Sequence, residues 1–498
     1  MVFDAGLQTQ LSCGGIGVRY EKRFTLFKNI PLGAAIFNIF DVNFMVNFHE
    51  IIKYFKSSSI PQNMLNRGQV VLNNFLNPIK ILFEQKSVPK KPWSDEQIEF
   101  LLETLSNMDT DKDDNAARVG EREARIASKL HLKTSAGFCH GVGRSGFLTA
   151  PQPKAPGGSI MYEITNYLAR NLLKNIGLPN INEAIVVPLC TGMSLSLCLG
   201  ALRPDWDDST LFHKRKVLLP QIDHKSLLKS IELMGFRAKI VKGKIFRDAV
   251  RIPVEDIKKN LDIDCFAIVS TTSFFPPRES DDIKEISKFA QENDLVHIII
   301  NAYGAQSPEW MKIIRAAIDA GRVDAIIQST DKNFLTPVGG AIIASPSKEM
   351  IIKISQTYAG RASATPVVNF LISILSLGIN RYQKLIEEQQ QNRKILEKKL
   401  KIVADKINER ILDIYNPIAV ALSLKNLKEE QLYNLGGALY NLRVTGPRVY
   451  NPKETAFGTC CENYTTPYIV MNAAIGATTR DIELAVERFV KAYNQIKQ

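Results

Sequence analysis

Lys332 is the residue whose place in the sequence predicts chemistry most directly. It follows the apolar run at residues 324–328 and precedes the small-residue segment 337–340. A lysine that forms a Schiff base lies at the ligand end of a sheet, partly shielded from water, with small neighbours that give access. Lys332 satisfies this placement, although its position alone would equally fit an ordinary loop lysine.

Thr191 and Gly192 predict a helix that begins directly after a strand, because they follow the apolar run at residues 184–188. Backbone N–H groups at the start of a helix have no partner within the helix and bind phosphate. This segment therefore predicts a site for a phosphorylated cofactor. Thr-Gly at a helix start is common, so the inference needs the other motifs.

Residues 141–146 have the spacing Gly-x-Gly-x-x-Gly, which in dinucleotide-binding proteins follows a strand. The preceding residues 134–140 are polar and mixed, and Arg144 would lie inside the diphosphate turn. We therefore predict a glycine loop that frees backbone amides, with Arg144 and Ser145 donating to a single phosphate. An ordinary surface turn is the alternative.

Three further polar residues extend this prediction. Gln152 and Lys154 continue the glycine loop, which runs on into the Pro-Gly-Gly segment from Pro156. Arg361 lies among small residues at 358–364, where it either reaches an anion or remains a solvated cation. The sequence by itself leaves both possibilities open for Arg361.

Short β-branched runs alternate with segments of helical spacing between residues 184 and 344. Because such runs are apolar throughout, they predict an α/β fold with a mostly parallel mixed sheet and helices on both faces. Ligands of such sheets bind beyond the carboxyl ends of the strands. The predicted strands are at residues 184–188, 217–220, 266–270, 296–300, 324–328 and 340–344, and the clearest helices between them are at 281–292 and 309–320.

The flanking regions complete a division into four parts. Residues 1–62 form an atypical, poorly ordered extension, or reflect a different start near Met64. Residues 63–160 form a helical segment with the phosphate loop, including a helix after Ser94 and another over 121–130. Residues 161–380 form the large α/β domain. Residues 381–498 contain a long helix over 382–411 and a small C-terminal α+β domain.

The composition is that of a large globular protein. Hydrophobic residues make up 45% and charged residues 23% of the 498 residues, which excludes intrinsic disorder and collagen. The seven cysteines are too scattered for a disulfide framework or a metal site, which favours the reducing cytoplasm. We expect no transmembrane helix and no cleaved leader, and the net charge of +12 is compatible with an anionic partner.

Nine ordered segments together resemble the O-phosphoseryl-tRNA:selenocysteinyl-tRNA synthase family, from about residue 65 to the C-terminus. The resemblance implies a fold-type-I, aspartate-aminotransferase-like transferase that depends on pyridoxal phosphate. It also implies a homotetramer that acts on O-phosphoseryl-tRNA(Sec) with selenophosphate, without DNA or a membrane as partner. The segments are residues 120–123, 140–146, 152–154, 191–195, 270–273, 301–304, 329–334, 337–344 and 360–363.

The resemblance also implies roles for individual residues. Lys332 is similar to the Schiff-base lysine of the family, and Arg122 to the arginine that meets the cofactor phosphate. Glu121 resembles a glutamate that repels free amino acids, because the free form carries an α-carboxylate and the tRNA-linked ester does not. The groups expected to hold the phosphate of the phosphoseryl substrate are Gly143, Arg144, Ser145, Gln152 and Arg361.

The sequence departs from the family pattern at the cofactor and in the tail. Ile300 stands where the family has Asn, with Asn301 as its neighbour, and His224 stands where some members have Gln. We expect Asn301 and His224, with Thr191 and Gly192, to contact the cofactor. In the tail, Leu442 and Thr478 replace basic residues, so the candidates for tRNA contact are Arg443, Arg448 and Arg480.

Three functions follow from these residues. The leading one is a selenium transferase in which phosphate leaves the β-carbon and selenium replaces it. The second is a pyridoxal-phosphate lyase, desulfurase or decarboxylase that acts on a free amino acid. The third, suggested by Ile300, is a catalytically inactive scaffold that binds tRNA.

Overall fold

The computed structural model describes residues 60–205, 207–222, 224–453, 461 and 464–497. The chain divides into two units, Met1–Lys80 and Ile81–Gln498, and all site residues discussed below lie in the second. The predicted extension of residues 1–62 falls almost wholly outside the described residues. None of the helices in the described ranges is long and apolar enough to cross a bilayer.

Four described helices precede the first strand, and the second of them has the predicted start and buried face. Ser94 caps it and forms a capping box with Gln97, and its leucine face is buried, which confirms the predicted helix after Ser94. The four helices are α1 (Gln62–Gln85), α2 (Asp95–Ser106), α3 (Lys129–Thr134) and α4 (Pro156–Asn175).

The predicted helix over residues 121–130 is wrong, since only its last two residues are helical and belong to α3. Arg125 donates to the backbone oxygens of Arg118 at 3.0 Å and Gly120 at 2.5 Å, and Ala124 adopts a φ of 52°. A side chain that binds nearby carbonyl oxygens competes with helical hydrogen bonds. This competition holds the segment as an irregular loop.

Nine described strands lie between residues 183 and 345, and seven of them form the central sheet. The strands are β1 (Glu183–Val187), β2 (Lys216–Pro220), β3 (Arg237–Val241), β4 (Lys244–Phe246), β5 (Ala249–Arg251), β6 (Cys265–Thr271), β7 (Val296–Ile300), β8 (Ala325–Ser329) and β9 (Ala341–Ser345). The sheet order is β1-β9-β8-β7-β6-β2-β3, and β4 and β5 form a separate hairpin. β9 is antiparallel to its neighbours β1 and β8, and the remaining pairs are parallel.

Every residue of β6, β7, β8 and β9 is buried, as expected for a sheet that helices cover on both faces. The predicted mixed, mostly parallel sheet is confirmed, and the ends of the six predicted strands lie within one residue of the observed ones. The edge strand β3 was not predicted. The helices in this region are α5 (Thr191–Leu202), α6 (Lys225–Leu233), α7 (Val254–Lys259), α8 (Ile283–Glu292), α9 (Pro308–Ala320), α10 (Thr330–Asn333) and α11 (Lys348–Gln356).

The long helix α12 (Thr365–Ile407) connects the sheet to the C-terminal part of the chain. It begins earlier than the predicted range of 382–411, bends at Gly378, and ends where Asn408 adopts a left-handed conformation. Its charged sequence gives a clear helical signal only after the bend, which explains the late predicted start.

The predicted small α+β domain is confirmed at the C-terminus. Its strands form an antiparallel sheet in the order β10-β12-β11, with β10 (Ala419–Ser423), β11 (Arg448–Tyr450) and β12 (Tyr468–Asn472). Helices α13 (Glu429–Asn441) and α14 (Thr479–Lys497) pack with α12 in one apolar cluster. Phe274 and Phe275, which follow β6, pack against the sheet of this domain. The small domain is therefore joined to the loop after β6.

Candidate active site

Lys332 lies at the carboxyl end of β8, within the single turn of α10, and its side chain is exposed. Asn333 fixes this turn by donating to Ser329 O at 2.7 Å and Ala302 O at 2.9 Å. Gln306 donates to Lys332 O at 3.1 Å. The backbone of Lys332 is thus held by its neighbours while its side chain is exposed rather than partly shielded, and its Schiff-base role stays a prediction.

Helix α5 begins at Thr191, directly after the loop that follows β1. The hydroxyls of Thr191 and Ser194 are buried and have no hydrogen-bond partner among the described residues. Gly192 is held from behind, because Ser230 Oγ donates to Gly192 O at 2.7 Å. A helix start with two unpaired hydroxyls fits the phosphate of a cofactor.

His224 caps helix α6, and its Nδ1 accepts a hydrogen bond from Ser226 N at 3.3 Å. A neutral ring that accepts at Nδ1 carries its proton on Nε2. Burial lowers the pKa of His224, and the charges of Arg448 and Lys332 lower it further. His224 therefore lies within the electrostatic influence of both the Lys332 amine and the Arg448 guanidinium of the small domain.

The end of β7 places Ile300 and Asn301 in different surroundings. Ile300 is 3% exposed and offers no polar atom from its side chain. Asn301 Oδ1 accepts from Thr272 Oγ1 at 2.6 Å, and its Nδ2 donates to Gln328 Oε1 at 3.4 Å. The Asn301 amide is thus engaged within the protein, and its predicted contact with a cofactor remains a prediction.

The glycine loop is a tight hairpin that points Arg144 and Ser145 outward. Arg144 and Phe147 exchange backbone hydrogen bonds of 3.0 Å, and both Arg144 and Ser145 are exposed. Gly143 has a φ of 69°, and a Cβ there would lie 2.1 Å from Leu148 O. Only glycine fits at this position, so the hairpin geometry depends on Gly143.

Arg361 lies beside this loop. Val142 and Ala362 form an antiparallel bridge, and Arg361 Nη1 donates to His140 O at 3.5 Å. Its buried Nε has no hydrogen-bond partner among the described residues. The structure thus brings Arg144, Ser145 and Arg361 together around one surface, which can bind an anion.

Gln152 is buried, and its Nε2 donates to Gly143 O at 3.4 Å. Its backbone N–H donates to Ser159 Oγ at 2.8 Å. These contacts hold the loop from inside, so the structure shows a supporting position for Gln152. Its predicted contact with the substrate phosphate remains a prediction.

Glu121 and Arg122 are both exposed, and the next residue anchors them near the glycine loop. Glu123 is buried and pairs with Lys154, which lowers the pKa of Glu123. Lys154 in turn accepts a hydrogen bond at its backbone oxygen from Thr110 N at 3.0 Å. The irregular segment is thereby tied to the chain that follows the loop.

A buried acidic cluster that the sequence did not reveal lies behind the loop. His140 Nε2 lies 3.2 Å from Asp111 Oδ1, with both side chains nearly inaccessible. Burial raises the pKa of Asp109 to about 6, although Asp109 accepts from Gly158 N at 3.0 Å. The only sequence signal was that His140 directly precedes the glycine spacing.

The candidate residues fall into two groups within one chain. Lys332, His224 and Thr191 lie at the carboxyl edge of the sheet, and Arg144 and its neighbours surround the glycine loop. The first group fits pyridoxal phosphate, because it offers an amine for the aldehyde and a helix start for the phosphate.

Comparisons with known proteins agree with this arrangement. The sequence profile of O-phosphoseryl-tRNA(Sec) selenium transferase, SepSecS, matches residues 108–494. The O-phosphoseryl-tRNA(Sec) selenium transferase of Methanococcus maripaludis is 44% identical over 438 residues, covering 87% of this chain and 97% of that relative. The Dictyostelium discoideum protein of the same name is 35% identical over 474 residues, covering 88% and 97%.

Solved structures show the same relationship. The crystal structure of an archaeal O-phosphoseryl-tRNA(Sec) selenium transferase has a TM-score of 0.82 at 43% identity and covers 87% of this chain and 98% of that one. The Oryza sativa protein TDC, solved with PLP and tryptamine, has a TM-score of 0.57 at 11% identity and covers 88% and 99%, which supports the fold alone. The predicted fold-type-I architecture of pyridoxal-phosphate enzymes is confirmed. The chain belongs to the O-phosphoseryl-tRNA(Sec) selenium transferase family.

Proposed function

We propose that this enzyme converts O-phosphoseryl-tRNA(Sec) to selenocysteinyl-tRNA(Sec), with selenophosphate as selenium donor and pyridoxal phosphate as cofactor. Family membership supports the reaction. The observation that carries the proposal is the exposed amine of Lys332 at the carboxyl end of β8, in a chain that also carries a cationic glycine loop. The amine suits a carbonyl cofactor, and the loop suits a departing phosphate.

Lys332, Thr191, Gly192, His224, Asn301 and Arg122 are the residues proposed to hold the cofactor. When bound, pyridoxal phosphate supplies an electron sink for the charge that develops at the α-carbon of the substrate. The unpaired hydroxyl of Thr191 and the N–H groups of α5 would receive its phosphate.

Lys332 is the proposed proton carrier. Its Nζ would remove the proton from the α-carbon of the phosphoseryl group and later return it. The backbone of Lys332, held by Gln306 at 3.1 Å, fixes the point from which its side chain extends.

The glycine loop is proposed to bind the phosphate that leaves. As the bond between the β-carbon and oxygen breaks, Arg144, Ser145 and Arg361 would donate hydrogen bonds to the phosphate oxygens. Donors that are already oriented stabilise developing charge without reorganisation. Selenium from selenophosphate then bonds to the β-carbon, and the α-carbon regains its proton. Water cleaves the bond between selenium and phosphorus, and inorganic phosphate is released.

Residues 1–62, 63–160, 161–380 and 381–498 are proposed as the parts of the chain, and a homotetramer in the cytoplasm as its working form. The net charge of +12 suits the phosphates of tRNA.

The proposal is tested by selenium incorporation into phosphoseryl-tRNA with the wild-type enzyme and with Lys332→Ala, Arg144→Ala and Arg315→Ala. We expect Lys332→Ala to abolish incorporation and Arg144→Ala to lower it about 100-fold, because each removes a group that acts on the reacting atoms. Arg315 is an exposed arginine on α9 and serves as the matched control. Full incorporation by Lys332→Ala would refute the mechanism.

Ile300 favours a second candidate, the catalytically inactive tRNA-binding scaffold, because it offers no polar partner to a cofactor ring. The visible absorption of the purified protein separates the two. The enzyme predicts a cofactor band that Lys332→Ala removes, whereas the scaffold predicts tRNA binding without such a band. Turnover of free phosphoserine in place of the tRNA-linked form would indicate an enzyme of free amino acids.

A further inference from the structure

Arg448 is an exposed arginine of the small domain, and its charge has no partner within the part of the chain that the structure describes. It begins β11, where its backbone pairs with Val470 of β12. No hydrogen bond or ion pair joins its guanidinium to any other residue in the described ranges, and its one close contact is with Phe275. Five N–H donors are therefore available to a ligand.

The guanidinium of Arg448 has a fixed orientation. It lies 4.1 Å above the ring of Phe275, which is 9% exposed and packs in the apolar cluster between the small domain and the loop after β6. Phe275 is stacked on Phe274 at 4.3 Å, and Phe274 O accepts from Asn416 Nδ2 at 2.7 Å. A guanidinium stacked on a rigid ring directs its donors sideways, which suits a planar or tetrahedral oxyanion.

His224 lies beside the same aromatic pair and adds a donor. Its ring meets Phe274 edge to face at 5.5 Å, and its Nδ1 accepts from Ser226 N, so Nε2 carries the proton. Burial, then the charges of Arg448 and Lys332, lower the pKa of His224. Both charged groups that act on His224 from the described residues are therefore cations.

We infer that Arg448 and His224 form a second phosphate-binding site at the Lys332 end of the active site, built from residues other than those of the glycine loop. This inference rests on the proposed function, which requires two phosphate-bearing reactants. The glycine loop takes the phosphate of the phosphoseryl group. The second site takes either the last internucleotide phosphate of the tRNA or selenophosphate, since both present the same tetrahedral oxyanion.

Phosphate is favoured over carboxylate by the chemistry of the substrate. The α-carboxylate of the phosphoseryl group is esterified to the tRNA, so an unpaired arginine near Lys332 has no carboxylate to bind. A guanidinium forms paired hydrogen bonds with phosphate that a lysine cannot reproduce. Arg448→Lys should therefore keep the charge and lose part of the affinity.

The first test measures KM for phosphoseryl-tRNA and for selenophosphate with Arg448→Gln, Arg448→Lys and Arg237→Gln. Arg237 is an exposed arginine at the amino end of β3, whereas His224 follows the carboxyl end of the parallel neighbour β2, so Arg237 controls for the loss of one charge. We expect Arg448→Gln to raise one of the two KM values about 10- to 100-fold, with little change in kcat, as fits the loss of a charged hydrogen bond. The KM value of Arg448→Lys should lie between those of wild type and Arg448→Gln, and both KM values of Arg237→Gln should match wild type.

The KM value that rises identifies the source of the phosphate. A rise for phosphoseryl-tRNA assigns the site to the tRNA end, and a rise for selenophosphate assigns it to the selenium donor. Unchanged values for both overturn the inference. Loss of inhibition by free phosphoserine in Arg448→Gln, with both KM values unchanged, would show a carboxylate site and overturn it equally.

Equilibrium dialysis with radiolabelled inorganic phosphate tests the site independently of turnover. We expect the holoenzyme to bind two phosphates per chain, Arg448→Gln one, and Arg144→Gln one. Two phosphates retained by Arg448→Gln would overturn the inference. If the wild type failed to use phosphoseryl-tRNA while Arg448→Gln still lost one phosphate, the proposed function would fail and the site would stand.

Discussion

At the scale of single residues, the site separates groups that carry charge from groups that hold them in place. Arg144, Ser145 and Lys332 are exposed and available to ligands, whereas Gln152 and Asn333 are buried and hold backbone atoms. The exposed groups are the ones for which a reaction step can be written. The buried groups set the positions of the exposed ones, so their substitution should act on several steps together.

Glu121 provides a prediction at this scale. We expect Glu121→Gln to lower the inhibition constant of free phosphoserine about 5-fold, because removal of one nearby negative charge relieves roughly 1 kcal/mol of repulsion on its α-carboxylate. The KM for phosphoseryl-tRNA should stay unchanged, since that ester carries no charge. Competition assays with the two variants Glu121→Gln and Glu121→Asp measure this.

Glu121→Asp keeps the charge and serves as the matched control. Equal inhibition constants for wild type and Glu121→Gln would show that the exposed Glu121 does not sense the substrate.

At the scale of elements, the strands and loops place the reactive groups through backbone contacts. The turn after β8 presents Lys332, the start of α5 presents Thr191, and the hairpin at residues 141–148 presents Arg144. The hairpin is held from two sides, by the bridge from Val142 to Ala362 and by Leu148 N donating to Ser355 O at 2.9 Å. Its shape is therefore set by contacts far away in the sequence.

Substitution of two glycines in this hairpin, one at a time, separates the effect of a collision with the loop from the effect of a left-handed backbone conformation. Gly143→Ala places a Cβ 2.1 Å from Leu148 O and must displace the loop, whereas Gly146→Ala meets open space and costs only the left-handed conformation, about 1–2 kcal/mol. We expect Gly143→Ala to lower kcat/KM about 100-fold, because a shift of about 1 Å misplaces Arg144. Gly146→Ala should retain most activity.

Thermal unfolding of both glycine variants checks that each is folded at the assay temperature. If Gly146→Ala proved as inactive as Gly143→Ala, the collision with Leu148 would not be the cause.

At the scale of the whole molecule, the central sheet and the small domain form one support for the site. Arg410 pairs with both carboxylate oxygens of Asp248 in the β4–β5 hairpin, and Tyr464 donates to Asp248 O at 2.8 Å. These contacts and the stacked rings of Phe274 and Phe275 join the two domains. The small domain can therefore carry Arg448 to the neighbourhood of His224 and Lys332.

The stability of this support depends on pH through His297 in β7. Burial lowers its pKa to about 4, and its Nδ1 and Nε2 contact Arg322 O at 2.8 Å and Ser270 Oγ at 2.7 Å. The unfolded chain binds a proton at this residue below about 6.5, whereas the folded chain does so only below about 4. The stabilising contribution of neutral His297 is thus complete above pH 6.5 and is lost as the pH falls towards 4.

We expect the free energy of unfolding to fall by about 3 kcal/mol from this residue between pH 6.5 and 4. His297→Asn removes the titrating group, so its denaturant-unfolding free energy should fall less steeply over the same range. The variant will be less stable at pH 7.5, where the loss of its contact with Ser270 is measured separately. Parallel pH profiles for the two proteins would contradict the assignment to His297.

Local sequence was sufficient for six of the seven strands of the central sheet, whereas the roles of the reactive groups stay predictions. Continuous apolar runs predicted β7 at residues 296–300, and Ser94 predicted the start of α2, because the apolar run of a buried strand and the cap of a helix each involve residues close in sequence. The resemblance to the family implied that Lys332 is the Schiff-base lysine, and it implied the cofactor and the reaction as well. These inferences require only residue types and their order along the chain.

Tertiary contacts determined what local sequence could not. The segment 121–130 is irregular because Arg125 binds carbonyl oxygens that a helix would use and Glu123 pairs with Lys154, 31 residues away. Arg448 was one of three equivalent tail arginines until the packing of Phe275 placed it beside His224. Pairing between distant residues depends on how surfaces pack in three dimensions, and no period or local propensity in the sequence encodes that packing.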